Sequence, residues 1–269
     1  NIVTSKMNNS GFNCIATQVL VLPESWDQSE ALLDEIRKVL ANLGDRDAYY
    51  PGADDRCDAV AAGSGNVETF GTGARRMLVT GLDATRADDD AFTSEYFAPA
   101  LSVVTLPSPD IAAYLQNATA FANDVLMGTL GASIIIHPKT EKVYADAVDG
   151  MIANLRYGGI GVNTWSASIF LYSRCPWGAF PGHTPQDIGS GVGVVHNTLM
   201  LTNTQKAVAR SPFAPSHRTL GKGEIHIAPK PLFFVTNKQL NNTAEHLVDF
   251  VLTGKTTDML KVVASAIRG

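Results

Sequence analysis

Apolar runs rich in β-branched residues alternate with stretches of helical period along most of this 269-residue chain, and that alternation constrains the fold more than any other feature. The run at 15–22 reads as a buried strand. In 25–43, Trp26, Leu32, Leu33, Ile36, Val39, Leu40 and Leu43 recur at helical spacing before Gly44, which predicts a helix and its stop. A short helix is expected within 54–62, then strands at 76–80 and 101–106. Asp110 is expected to cap a helix whose apolar face runs from Ile111 to Leu126. Further along, 131–137 reads as a strand, 138–155 as one helix with proline at its start, and 159–163 as another strand. Repeated β-α units predict an α/β fold with a mostly parallel sheet flanked by helices. Loops fill 164–206, where Trp165, Trp177 and Phe180 read as anchors rather than substrate walls. The tail offers a strand at 231–236 and helices near 243–253 and 257–267. The expected division is 1–206 and 207–269, with the second part an edge strand plus helices and a region for oligomer contacts. Segment 209–230 is the best boundary candidate.

Composition excludes several classes. The net charge is −5, from 21 basic and 26 acidic residues, with no basic block; nucleic acid is not an expected partner. No apolar run reaches the ~18 residues of a membrane span. Cys14, Cys57 and Cys175 are widely spaced and odd in number, which fits a reducing, cytoplasmic setting rather than a disulfide framework. His137, His183, His196, His217, His226 and His246 show no i, i+4 pairing of zinc ligands. Asp88, Asp89 and Asp90 point apart as neighbours and read as a solvated loop, so no metal site is expected. Gly254-Lys255-Thr256 ends like a phosphate loop, but Asp249 stands where its first glycine belongs. Neither Gly71-x-Gly73 nor Gly189-x-Gly191-x-Gly193 completes a dinucleotide fingerprint.

The chemistry concentrates in Asn9-Ser10-Gly11-Phe12-Asn13-Cys14. A thiol closes a small polar loop just before the first apolar run. Gly11 and the asparagines suit backbone with φ > 0. A nucleophile held by such a turn, with amide N–H groups beside it, is what covalent catalysis needs. A buried cysteine acting as a small hydrophobe is the plainer reading. A thiol–histidine hydrolase dyad has no histidine that stands out as its base.

Set against known families, the loop resembles the Asn-x-Gly-Gln-x-Cys active-site motif of the aldehyde dehydrogenase superfamily, with Phe12 in place of glutamine. Glu95-Tyr96-Phe97-Ala98-Pro99-Ala100-Leu101 resembles that family's Glu-Ile-Phe-Gly-Pro-Val-Leu. Gly158 to Asn163, and then Pro176-Trp177-Gly178-Ala179, are similar to its Gly-x-x-x-Val-Asn strand and Pro-Phe-Gly-Gly loop. The resemblance implies that Cys14 attacks an aldehyde, that Asn9 belongs to the catalytic loop, and that Glu95 and Phe97 bind the nicotinamide ribose of NAD or NADP. It also implies an aldehyde substrate and a homo-oligomer in the full-length protein. In that family the nucleotide-binding region, the general-base glutamate and an oxyanion amide precede the cysteine, and only 13 residues precede Cys14 here. The expectation is therefore a catalytic half, inactive alone. The alternatives are a CoA-acylating member of the same family and a non-catalytic assembly domain.

Overall fold

The computed structural model describes residues 1–72, 75–214 and 229–269. Helix α1 (Ile2–Met7) leads into a turn, Asn8–Gly11. Strand β1 (Val19–Pro23), α2 (Ser29–Asn42), α3 (Ala53–Ala62), β2 (Asn66–Phe70) and β3 (Arg76–Leu82) follow. Then come α4 (Asp90–Thr93), β4 (Ala100–Leu106), α5 (Ile111–Asp124) and β5 (Gly131–Ile134). The chain continues through α6 (Pro138–Val143), α7 (Ala145–Asn154), β6 (Gly159–Val162), the short strands β7 (Trp177–Gly178) and β8 (Val194–Val195), and β9 (Ala207–Arg210). Helices α8 (Leu240–Thr253) and α9 (Thr256–Ile267) pair at the end.

The first sheet has the order β1-β4-β3-β2, parallel except for β2. The second, β5-β6-β9, is parallel throughout. Central strand β4 explains the layering. Leu101 and Val103 pack with Leu78, Leu33, Ile36 and Leu40 on the α2 side. Ala100, Val104 and Leu106 pack with Met77, Val79, Val60, Phe92 and Phe121 on the other. Side chains alternate faces along a strand, so each face gets its own helices and both are buried, as parallel sheets require.

The expected α/β class with a mostly parallel sheet is what the chain forms. Several boundaries differ. The strand expected from residue 15 starts at Val19, because residues 13–18 turn back on themselves. There Ala16 N–H donates to Asn13 O at 3.1 Å and Thr17 N–H to Ser5 O at 2.9 Å. The helix expected over 138–155 breaks at Tyr144 (φ −113°, ψ 33°) into α6 and α7. The strand expected at 231–236 is a pair of turns. Its backbone is taken up by side chains of the N-terminal segment: Asn8 Nδ2 donates to Phe233 O at 3.0 Å, and Val235 N–H to Thr4 Oγ1 at 3.2 Å. Most of segment 209–230, with His217 and His226, lies outside the described residues, as does Gly73. Asp110 caps α5 as expected, accepting from Ala113 N–H at 2.8 Å. Asp89 is buried rather than solvated: it caps α4 through Ala91 N–H at 2.9 Å and takes the Ser64 hydroxyl. Among the described residues, no cluster of three or more His, Cys, Asp and Glu could hold a metal, and no helix is long and apolar enough to cross a membrane.

Ser102 sits at the centre of β4, fully buried, and its hydroxyl finds no partner among the described residues. An unsatisfied buried hydroxyl costs roughly 1–3 kcal/mol. Ser102→Ala is therefore expected to leave stability unchanged or raise it by about 1 kcal/mol. Urea denaturation checks this, and a clear loss of stability would contradict it.

Candidate active site

Cys14 stands on a turn that is pinned from both sides. Asn9 and Ser10 adopt φ 53° and 55°, and Gly11 φ 83°. Three successive residues in this region are uncommon outside glycine, so the backbone here is held by its surroundings. Asn13 Nδ2 donates to Asn8 O at 2.8 Å, and Trp165 Nε1 donates to Ile15 O at 3.1 Å. The indole thus anchors the far end of the turn, in keeping with the anchor reading. Trp177 is likewise buried, edge-on to Phe170 at 5.5 Å.

Gly11 brings two distant stretches together. A Cβ on Gly11 would lie 2.5 Å from Ala98 O and 3.0 Å from Pro99 N. The cysteine turn therefore rests directly on the loop that carries Glu95 and Phe97. Glu95 is exposed and makes no hydrogen bond or ion pair among the described residues. Its charge still reaches Cys14.

Of the three cysteines, Cys14 is exposed, Cys57 buried and Cys175 half-buried. Partial desolvation pushes the Cys14 thiol above its ordinary value. A hydrogen bond from its own backbone N–H pulls it back, and the negative charge of Glu95 adds to the rise. The sulfur is accessible, and the groups among the described residues do not activate it. The same N–H has no backbone acceptor among the described residues.

Asn9 lies on the turn that leads to Cys14. Its Nδ2 donates to Phe12 O at 2.9 Å and to Tyr49 Oη at 3.0 Å. That amide braces the turn and ties it to 49–50. Phe97, with φ 39°, belongs to an aromatic group. Its ring lies 4.9 Å from Tyr50 and 5.7 Å from Phe12, and Phe12 is 5.4 Å from Tyr49. The Arg56 guanidinium lies over Tyr50 at 5.6 Å and over Phe97 at 6.0 Å. Phe12, where the resembled motif has glutamine, is the buried centre of this group.

Beneath the turn lies a residue the sequence did not mark. Lys6 is fully buried on α1, and its Nζ donates to Gln18 Oε1 at 3.1 Å. Gln18 in turn donates to Ala16 O at 2.9 Å. Burial lowers the Lys6 amine to about 7, against the opposing charges of Glu95 and Cys57. Nothing local announces it: Val3 to Met7 are all buried, so no amphipathic period sets the lysine apart. Tyr49, Tyr50 and Arg56 were missed for a related reason, since their stretch has no clear period and only the fold brings it to Phe12.

No protein-family model matches the sequence, and no curated protein is significantly similar to it. Solved structures are similar in fold. Salicylaldehyde dehydrogenase from Pseudomonas putida G7, complexed with salicylaldehyde, superposes with a TM-score of 0.56 at 14% identity, over 72% of this chain and 38% of that one. NAD-dependent aldehyde dehydrogenase from Sinorhizobium meliloti gives 0.52 at 18% identity, over 66% of this chain and 36% of that one. Lactaldehyde dehydrogenase from Escherichia coli gives 0.51 at 17% identity, over 73% and 40%. This chain thus spans well under half the length of each. Over about two thirds to three quarters of its residues, the chain has the fold of the aldehyde dehydrogenases.

Proposed function

We propose that this chain is the catalytic portion of an NAD- or NADP-dependent aldehyde dehydrogenase, with Cys14 as the nucleophile. The observation that carries the reading is the seating of Gly11 on Ala98 and Pro99, which sets an exposed thiol beside the Glu95–Phe97 loop. In this reading the Cys14 thiolate adds to the aldehyde carbon, and the carbonyl oxygen gains charge next to the Cys14 N–H. Asn9 positions the turn through Phe12 O and Tyr49. The Glu95 carboxylate, without a partner among the described residues, suits two ribose hydroxyls. Phe97 would border the nucleotide with whatever part of its ring Tyr50 and Phe12 leave open. A nicotinamide nucleotide bound there supplies the hydride acceptor that turns the thiohemiacetal into a thioester. The acyl acceptor is water or CoA.

One observation favours a second reading. The Cys14 thiol is raised, not lowered, which suits a domain that keeps the fold for assembly. An activated ester separates the two, because its cleavage needs no nucleotide. Attack by the Cys14 thiolate on p-nitrophenyl acetate forms the S–C bond, breaks the C–O bond and releases p-nitrophenolate. The expected result is a burst of one equivalent per chain. The burst should grow faster as pH rises past the ordinary thiol range, since the thiolate is the attacking form, and Cys14→Ser should abolish it. A wild-type chain with no burst, or a burst that survives Cys14→Ser, would remove the catalytic reading.

A further inference from the structure

A cavity of about 190 Å³ lies behind the cysteine turn, lined by Met7, Ser10, Leu43, Gly44, Arg46, Arg76, Pro99 and Val235. It has an apolar floor, Met7, Leu43, Pro99 and Val235, and a cationic end. Arg76 is buried, with 6% of its surface exposed. Its Nε donates to Leu40 O at 2.9 Å and its Nη1 approaches Gly44 O at 3.4 Å and Asp45 Oδ1 at 3.3 Å. Nη2 meets no acceptor among the described residues. Asp45 also accepts from the Thr72 hydroxyl at 2.6 Å, which holds it as the carboxylate. Arg46 is exposed and makes no ion pair among the described residues. Ser10 lines the same end and is 6% exposed.

The charge balance of this end, two arginines against one aspartate, is net positive. With Nε and Nη1 engaged, Nη2 is the part of the buried guanidinium left to meet an anion, and a charge-assisted hydrogen bond from it to a carboxylate oxygen is short and strong. At about 30 Å³ per water, the space equals roughly six waters. That is well below the ~300 Å³ at which pockets for drug-sized ligands begin. The occupant is therefore small, with an anionic head and a short apolar body.

We infer that this cavity binds a short-chain organic carboxylate, its head at Arg76, Arg46 and Ser10 and its body on Met7, Leu43, Pro99 and Val235. The walls belong to both arms of the candidate site, the cysteine turn through Met7 and Ser10 and the Glu95–Phe97 loop through Pro99. Occupancy stiffens the seam between them and so alters the reactivity of Cys14. The binding itself does not depend on the redox reading.

Butyrate is the probe. Calorimetric titration of the chain is expected to show one saturable site at millimolar concentrations. Butan-1-ol, which has the body without the charge, should not bind. Arg46→Met, at an exposed position, should weaken butyrate fivefold or more, and Val235→Phe, which fills the floor, should block it. Butyrate should also change the rate of Cys14 alkylation by iodoacetamide in the wild type and not in Arg46→Met. Absence of a saturable site in the folded wild type would overturn the inference, as would equal binding of butan-1-ol. Tighter binding of inorganic phosphate than of butyrate would overturn the ligand class, because the apolar floor would then contribute nothing.

Discussion

Replacing Lys6 by methionine is expected to make the protein more stable at pH 6 and to flatten its dependence on pH. The reason is a fully buried amine whose folded value is lowered to about 7, while the unfolded chain keeps about 10.4. Below pH 7 both states hold the proton, and the folded state bears the full cost of a buried charge. Between the two values the unfolded chain binds the proton and the folded chain does not, so stability rises with pH. Each pKa unit is worth about 1.4 kcal/mol, which makes the gain from pH 7 to pH 9 roughly 2–3 kcal/mol. Above that, the raised cysteines and the buried Tyr114 and Tyr157 oppose it: each of these keeps its proton longer when folded, so stability falls as pH rises. Methionine fills nearly the same space without a charge, and such replacements are often neutral or stabilising. The one loss is the bond to Gln18, about 1 kcal/mol. Urea denaturation of both proteins from pH 6 to pH 9 reads the difference directly, because all other groups are common to both. Parallel curves would mean that the Lys6 amine is not desolvated in the folded chain.

Lys6 also shows where reading the sequence stops. Elements whose residues carry their own pattern were legible. Residues 101–106 are apolar and β-branched enough to be found, and Asp110 with the face from Ile111 onward marks α5 without help from the fold. Boundaries set by distant partners were not. Strand β2 has few apolar residues and owes its place to antiparallel pairing with β3. Residues 231–236 have the composition of a strand, but Asn8 and Thr4 take their backbone groups. At the site, the cysteine turn and the Glu95–Phe97 loop were visible as separate motifs. Their contact through Gly11, the aromatic group around Phe12 and the cavity between Ser10 and Arg76 were not, because each joins residues far apart in the chain.

That contact carries the second large expectation. Gly11→Ala should destabilise the protein by about 3 kcal/mol or more and move the cysteine turn. Two effects add. An L side chain at φ 83° costs roughly 1–2 kcal/mol. The new Cβ would also sit 2.5 Å from Ala98 O and 2.7 Å from its carbonyl carbon, and these are backbone atoms that cannot rotate aside. Ala98 is itself fully buried and leads straight into the central strand β4, so relief has to come from the turn. A displaced turn relieves the partial burial of the Cys14 thiol and takes it away from Glu95, the two causes of its rise, and the thiol should then titrate nearer its ordinary value. Two measurements test this together: the denaturation midpoint, and the pH profile of Cys14 alkylation in the protein that remains folded. Gly44→Ala, with nothing within 4 Å of its added Cβ, is the matched control and should change neither. A Gly11→Ala protein with wild-type stability and an unshifted profile would mean that the turn does not rest on the Glu95–Phe97 loop, and the case for a single site built from both would fall with it.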